Sequence, residues 1–289
     1  MDWDDVVEAL RRNNFVQEAL FIATKHNRER GAALIQEGKV ITLACECYPQ
    51  LLIANLGVNA PPIFWISDPR LREETPWMNP DGSQRVCVSG VGCRQPLGVG
   101  LAIATKVGEW VASRGYFAVS GGAQGCDEAF GNSALKAGGQ VVHILPHGLN
   151  KLPRNIFGYA MSVCPPNEAF SAARAMERNA LIYGFGHSTV VSSARFRMGG
   201  SWQGAVAALK VNRPVMVADW TTVGFASTAK EYTEGTYGLA QRAFKNLGAF
   251  PLVLDLASFA QDIDAKLDEG LDWSFSRIAG EMNTGLFAS

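Results

Sequence analysis

The chain has 289 residues, of which 47% are hydrophobic and 18% are charged, a composition that excludes an intrinsically disordered protein. No apolar run reaches the roughly 18 residues that span a bilayer. The acidic start, Met1 to Asp5, is unlike a secretory signal peptide, so we expect a cytoplasmic protein without membrane contact. Residues 85–213 carry a net charge of +8 and the remaining residues a net charge of −9, which favours a polyanionic partner for the central part.

The first part of the chain combines helical and extended patterns. Residues 2–36 place apolar side chains at roughly helical spacing without a strong breaker, which predicts helix. Short extended segments follow at 40–43 and 63–66. Residues 67–84 are rich in Pro, Asp, Glu, Asn and Gly, a composition typical of a linker or an irregular loop.

From residue 85 onward, apolar segments with strand character alternate with helical segments. The strands are predicted at 86–91, 116–119, 141–145, 159–163, 189–192, 214–218 and 252–254. The helices are predicted at 97–114, from 126 onward, and at 169–183, 201–210 and 237–247. Strands joined through helices of this length form right-handed crossovers, so we predict an α/β fold with a mostly parallel sheet.

Ligands of such sheets bind at the carboxyl ends of the strands, where four loops carry suitable residues. The first loop follows the strand at 86–91 and contains Arg94, which is placed to bind a phosphate unless it is an ordinary surface arginine. We include Ser89 and Gly90, at the end of that strand, in the predicted phosphate site.

The second loop, Ser120–Gly125, joins a strand to a helix through glycines. Glycine lets backbone N–H groups approach an anion, and the helix N-terminus adds a favourable dipole, so a phosphorylated ligand is predicted here. The loop does not fit the dinucleotide pattern Gly-x-Gly-x-x-Gly. For Asp127 we favour a structural capping role over catalysis. Cys126, at the helix N-terminus, is either a stabilised thiolate or, as we favour, a small packing residue.

The third and fourth loops add further polar groups. Arg178 and Asn179 lie on a predicted helix and are placed either to hold a phosphate or to face solvent. In the fourth loop, Arg195 and Arg197 flank Phe196, a pattern that suits a single strand if Phe196 stacks on a base, although Phe196 inserted into the core is an equal alternative. The predicted site therefore comprises Ser89, Gly90, Arg94, Ser120, Gly121, Gly122, Gln124, Gly125, Arg178, Asn179, Arg195, Arg197, Gly199, Gly200 and Ser201.

The sequence contains no pattern that calls for covalent or metal chemistry. It has no Walker motif and no nucleophile elbow. The six cysteines form no Cys-x-x-Cys pair, the four histidines show no ligand spacing, and buried free thiols are expected. We predict no catalytic residue, no metal and no cofactor, and a binding protein rather than an enzyme.

Several motifs, in order and at compatible spacing over about residues 40–265, resemble those of the DNA-processing protein A family (DprA/Smf). Ser120–Asp127 follows the family pattern Ser-Gly-x-Ala-x-Gly-x-Asp closely. The other matching segments are 137–139, 178–184, 199–205, 235–237, 248–249, Tyr48-Pro49 and Pro61-Pro62. The resemblance implies a Rossmann-like domain with helices on both faces of the sheet at 76–264, after a helical N-terminal region at 1–75 and before a short acidic C-terminal tail at 265–289.

The resemblance also implies a cytoplasmic homodimer that binds single-stranded DNA and helps to load a RecA-type recombinase during DNA uptake and recombination, without enzymatic activity. Carried over residue by residue, Arg94, the loop Ser120–Gly125, Arg178 and Asn179 would meet the DNA backbone. Ala180 and Gln124 replace basic residues of the family, and the tail is too short for the winged-helix domain of some members, so we expect a divergent member. Because these basic residues are absent, a small-nucleotide sensor or a nucleotide-processing enzyme, with a role in defence, is an alternative function. The acidic flanks allow a third alternative, an interaction scaffold that docks a partner protein.

Overall fold

A computed structural model describes residues 25–219, 249–253 and 259–283, together with residues 8 and 239. The helix predicted at 237–247 lies outside the described residues apart from residue 239, and the helix predicted at 2–36 is described as a helix from Lys25. No helix in the described part of the chain is long and apolar enough to cross a membrane.

The described residues form a nine-stranded sheet in the order β1-β2-β6-β5-β4-β3-β7-β8-β9. Pairing is antiparallel between β1 and β2 and between β2 and β6, and parallel between all other neighbours. The strands are β1 (Val40–Thr42), β2 (Ile63–Ile66), β3 (Cys87–Val91), β4 (Phe117–Ser120), β5 (Gln140–Leu145), β6 (Tyr159–Ser162), β7 (Ser188–Val191), β8 (Val215–Asp219) and β9 (Phe250–Val253). The predicted α/β fold with a mostly parallel sheet is confirmed.

Helices cover both faces of the sheet, as the fold class requires. They are α1 (Lys25–Gln36), α2 (Gln50–Leu56), α3 (Arg70–Glu73), α4 (Gly98–Ser113), α5 (Cys126–Lys136), α6 (Ala172–Phe185), α7 (Gly199–Lys210) and α8 (Phe259–Asn283). Helices α2, α6 and α7 contribute to the core on one face, and α4, α5 and α8 to the core on the other.

The direction of the chain reverses at β3. From β3 it runs through β4, β5 and β6 on one side, and then returns to the other side of β3 for β7 and β8. The loops that follow β3 and β7 therefore depart in opposite directions and leave a crevice at the carboxyl ends of these strands.

Residues 67–84 lack regular secondary structure apart from one short helix, as the irregular-loop interpretation of their composition predicts, but they are anchored to the core. They contain helix α3, and the side chains of Leu71 and Trp77 are fully buried. The Trp77 ring packs edge-on against Phe185 and Phe117 at centroid distances of 5.6 and 6.2 Å. Although most residues of the segment are polar, Leu71 and Trp77 attach it to the core.

Helix α8 (Phe259–Asn283), which contains most of the predicted acidic tail, packs on the folded core. Ile263, Leu267 and Leu271 of helix α8 lie on one helical face and are buried against the sheet. The acidic residue Asp268 is bound at the rim of this contact, where it accepts a hydrogen bond from Trp110 Nε1 at 2.8 Å and pairs with Arg114 at 2.5 Å. Acidity at this end of the chain therefore marks the solvent side of an amphipathic helix.

Candidate functional site

A cleft of about 620 Å³ opens at the carboxyl ends of β3, β4 and β7. All four predicted loops contribute to it, and eight predicted residues line it: Arg94, Gln124, Arg178, Asn179, Arg195, Gly199, Gly200 and Ser201. Among the described lining residues, Arg94, Arg178 and Arg195 are basic and Asp127 alone is acidic. The fold therefore concentrates positive charge at the topological switch point of the sheet.

Arg178 lies at the bottom of this cleft. It projects from α6 and is only 5% exposed. Its Nε and Nη1 atoms have no hydrogen-bond partner among the described residues. Burial lowers the pKa of Arg178 below its ordinary value, with Arg94 adding to the shift and Asp127 opposing it. A buried guanidinium whose donors have no acceptor costs free energy, and it is a strong binding site for an anion that supplies acceptor oxygens.

The glycine loop gives Arg178 its place. A Cβ atom on Gly121 would collide with the Arg178 guanidinium and lie 2.5 Å from Asp127 Oδ2. The backbone of the loop therefore passes directly over the arginine and the carboxylate, and glycine is required for this approach.

Asp127 holds two loops together from the first turn of α5. Its Oδ1 accepts a hydrogen bond from Gly92 N at 3.2 Å, which ties the loop after β3 to α5. Burial raises the pKa of Asp127 to about 6, while Arg178, the N–H groups of Gly92 and Ala123, and Arg94 act in the opposite direction. The predicted structural role of Asp127 agrees with these bonds, and its carboxylate also faces the cleft.

The first two loops pack directly on each other. Gly125 has a φ of 91°, and a Cβ atom there would meet the carbonyl oxygens of Cys93 and Arg94 at 2.5 and 2.6 Å. Cys126 N donates to Cys93 O at 3.2 Å. Ser120 is buried and its hydroxyl donates to Asp127 O at 3.1 Å, so it supports the loop from below rather than lining the cleft.

Arg94 lies at the rim, where its guanidinium stacks on the exposed ring of Phe170 at 5.7 Å. Met176 and Met198 also line the cleft and are each about half exposed. These three apolar residues could not be predicted from the sequence, because nothing in their local spacing distinguishes a rim residue from an ordinary surface one. Tyr183 was missed as well. It is buried, lines the cleft and donates from its hydroxyl to Ser201 O at 3.4 Å.

In the fourth loop, Phe196 is partly buried and lies outside both core clusters of the described residues. Its ring packs edge-on against Trp202 of α7 at 5.1 Å, and the Arg197 guanidinium covers it at 5.1 Å. Neither Phe196 nor Arg197 lines the cleft. Arg197 is exposed and has a φ of 56°, whereas Arg195 lines the cleft. Asn179 Nδ2 donates to Gly200 O at 3.3 Å and connects α6 to the start of α7.

Other predicted residues lie beside the cleft without lining it. Ser89 is buried inside β3 and donates to Ile182 O at 2.6 Å, and Gly90 is packed against the Phe130 ring. Gly122 lies above His143, whose Nε2 is 2.9 Å from Phe157 O. Ala180 is exposed and outside the cleft lining, whereas Gln124 lies in the cleft.

Cys126 lies buried at the start of α5. Burial raises the pKa of the Cys126 thiol, and its side chain packs beneath Gly92, as the packing interpretation predicts. Within the described ranges the cysteines are free thiols, and no group of three His, Cys, Asp or Glu side chains is arranged to hold a metal ion.

Comparison with known proteins agrees with this geometry. A family model described as DNA recombination-mediator protein A matches residues 39–242. The chain belongs to this family. The match spans the sheet from β1 to β8 and every loop that lines the cleft. Family membership supports a role in DNA processing.

Two solved structures of family members share the fold. DNA processing protein A from Streptococcus pneumoniae is 20% identical, with a TM-score of 0.63 over 90% of this chain and 87% of that one. The protein from Helicobacter pylori, whose structure is described as showing a unique single-stranded DNA binding mode, is 18% identical, with a TM-score of 0.58 over 80% of this chain and 97% of that one. A comparison with curated protein sequences gave no significant match.

Proposed function

We propose that this family member binds single-stranded DNA in the cleft, and that Arg178 holds a backbone phosphate there. The observation that carries the proposal is the buried Arg178 guanidinium, whose Nε and Nη1 have no partner among the described residues and which lines an open cleft. A phosphate supplies the acceptor oxygens and the negative charge that this group lacks. The family and the binding mode described for the Helicobacter pylori protein support the same ligand.

The shape of the cleft favours a single strand over a duplex. The anion site lies beneath a rim formed by Arg94, Phe170, Met176 and Met198. A flexible strand can turn one phosphate inward to reach Arg178 while its unpaired bases contact the apolar rim. A stiff duplex keeps its phosphates on a convex cylinder and has no free base faces, so we expect weaker binding of duplex DNA.

Biologically, we propose that the protein acts as a recombination mediator. In this role it protects single-stranded DNA, helps to load a RecA-type recombinase in the cytoplasm, and works as a homodimer without catalysing a reaction. The net positive charge of residues 85–213 and the family assignment support this role.

A small nucleotide is the second candidate ligand. The cleft volume of about 620 Å³ falls within the range of small-molecule sites, and Gln124 places a neutral amide where the family often has a basic residue. A nucleotide-sensing role predicts that one nucleotide raises the melting temperature in proportion to the logarithm of its concentration.

Fluorescence anisotropy with a labelled oligo-dT, at low and moderate salt, distinguishes the two candidates. We expect binding that weakens with salt and that unlabelled single strands compete for better than duplex. Absence of oligonucleotide binding at low salt, together with stabilisation by one member of a nucleotide panel, would replace the DNA proposal with the nucleotide one.

A further inference from the structure

The buried carboxylate beside Arg178 is unusual in a site for an anion. Asp127 is 6% exposed, lines the cleft, and, like the Arg178 guanidinium, packs against the backbone of Gly121. An anion that reaches Arg178 in the cleft therefore also comes close to a second, negatively charged group.

The carboxylate cannot easily turn away from that anion. Its Oδ1 is held by Gly92 N at 3.2 Å, and the Ala123 N–H also bonds it. The aspartate belongs to the first turn of α5, and moving it would detach the loop after β3. The site thus holds one carboxyl group in place next to one guanidinium.

We propose that Asp127 makes the Arg178 site selective for singly charged phosphodiesters, as found inside a DNA strand, over doubly charged phosphate monoesters, as found on mononucleotides and strand ends. The inference rests on the proposed function, because it assumes that Arg178 receives a phosphate of the strand.

The physical reason is the number of charges that the buried pair can balance. A phosphodiester carries one negative charge, whereas a phosphate monoester carries about 1.5 to 2 at pH 7. In a site with little water, like charges a few ångströms apart repel strongly. Arg178 balances the first negative charge of a monoester, so its second negative charge is repelled by Asp127. The other arginines that line the cleft, Arg94 and Arg195, are less buried than Arg178.

The groups that face Asp127 make its charge responsive to a bound anion. They are Arg178 and Tyr183 from α6, Arg94 and Cys93 from the loop after β3, and Cys126 from its own helix. Burial raises the pKa values of the two thiols and of the phenol, so these groups stay neutral near pH 7. Burial also raises the pKa of Asp127 to about 6, and a bound phosphate raises it further. Binding of a phosphodiester is therefore expected to take up a proton.

The test is a competition experiment on the full chain. A labelled oligo-dT with a 5′-hydroxyl is displaced either by the dinucleotide TpT, which has one phosphodiester, or by dTMP, which has one monoester. We expect the wild type to favour TpT and Asp127→Asn to shift the preference about tenfold toward dTMP, the effect of one pKa unit of coupling. The asparagine keeps an oxygen for Gly92 N. Glu128→Gln makes the same charge change one residue along α5, outside the cleft lining, and is expected to keep the wild-type preference.

A second measurement needs no variant. The charge of TpT is constant between about pH 5 and pH 8, so its affinity for the wild type should fall as the pH rises and Asp127 ionises. Oligonucleotide binding with an unchanged preference in Asp127→Asn, or with TpT affinity independent of pH, overturns this inference alone. If the wild type does not bind the oligonucleotide, or if binding does not require Arg178, the proposed function is overturned instead.

Discussion

The Arg178 guanidinium occupies the space that a Cβ atom on Gly121 would need. The arginine comes from α6 and the glycine from the loop between β4 and α5, so this contact joins two crossovers whose helices pack on opposite faces of the sheet. The position of the buried charge therefore depends on the absence of a side chain in the glycine loop.

Replacing Gly121 by alanine should displace Arg178. We expect Gly121→Ala to lower the free energy of unfolding by about 1–3 kcal/mol, the usual cost of overpacking. The affinity for oligo-dT should fall about tenfold or more, because the phosphate loses charge-assisted hydrogen bonds. Urea unfolding and anisotropy measure the two effects. Gly98→Ala is the matched control, because a Cβ there meets no atom within 4 Å, and it should leave both quantities nearly unchanged.

Helix α8 should contribute strongly to stability. Leu267 is fully buried against the sheet, so we expect Leu267→Ala to lower the free energy of unfolding by about 2–5 kcal/mol. Glu269→Ala, on the exposed side of the same helix, should cost less than about 0.5 kcal/mol. Equal unfolding midpoints in urea for the two variants would show that the helix does not pack as described.

The buried His143 should make stability depend on acid. Burial lowers its pKa from 6.5 to about 4, and its Nδ1 has no hydrogen-bond partner in the described part of the chain. Between these two pH values His143 is protonated in the unfolded chain but neutral in the native protein, so the free energy of unfolding falls as the pH drops. The expected loss between about pH 8 and pH 5 is about 2 kcal/mol.

His143→Gln removes this titration and keeps a donor for Phe157 O. The wild type should lose about 2 kcal/mol more than the variant on acidification, as measured by urea unfolding at both pH values. The comparison with the variant cancels the opposite effect of Asp127 and the similar effect of His187, whose pKa is also lowered by burial. Parallel pH profiles for the two proteins would refute the assignment.

Cysteine reactivity should follow burial rather than position on a helix. Burial raises the pKa values of Cys87 and Cys126, so both should resist brief alkylation with iodoacetamide in the native protein. Cys45 is partly exposed and its pKa is lowered, so it should react first. Peptide mass spectrometry of protein labelled before and after denaturation shows the order in which the cysteines are alkylated. Rapid labelling of Cys126 in the native protein would support the thiolate interpretation instead.

The order of strands and helices could be predicted from the sequence because each glycine-rich turn follows a short apolar run, as at Ser120–Gly125 after β4. Those turns also located the cleft, since parallel strands bring their carboxyl ends to one edge. Depth within the site could not be predicted. Sequence spacing does not distinguish Arg178, which is buried, from Arg197, which is exposed.

The anchoring of two segments also depends on tertiary packing. Composition predicted a linker or irregular loop at 67–84 and the family resemblance implied a tail at 265–289, but neither indicated that Trp77 and Leu267 attach residues 67–84 and helix α8 to the core. Phe196 is a local ambiguity of the same kind, because only the position of Trp202 on α7 decides where its ring packs. The average polarity of such a segment is dominated by its many exposed residues, so it does not reveal the few buried residues that anchor the segment to the core.

The salt dependence of oligo-dT binding to Arg178→Gln tests the central claim most directly. Arg174→Gln, one turn earlier on α6, is the matched control, because Arg174 pairs with Glu168 at 2.5 Å and does not line the cleft. We predict that Arg178→Gln weakens binding about tenfold or more and reduces the slope of log affinity against log salt by about 1, whereas Arg174→Gln changes neither appreciably. Wild-type affinity and slope in a folded Arg178→Gln variant would contradict the assignment of this cleft as the DNA site.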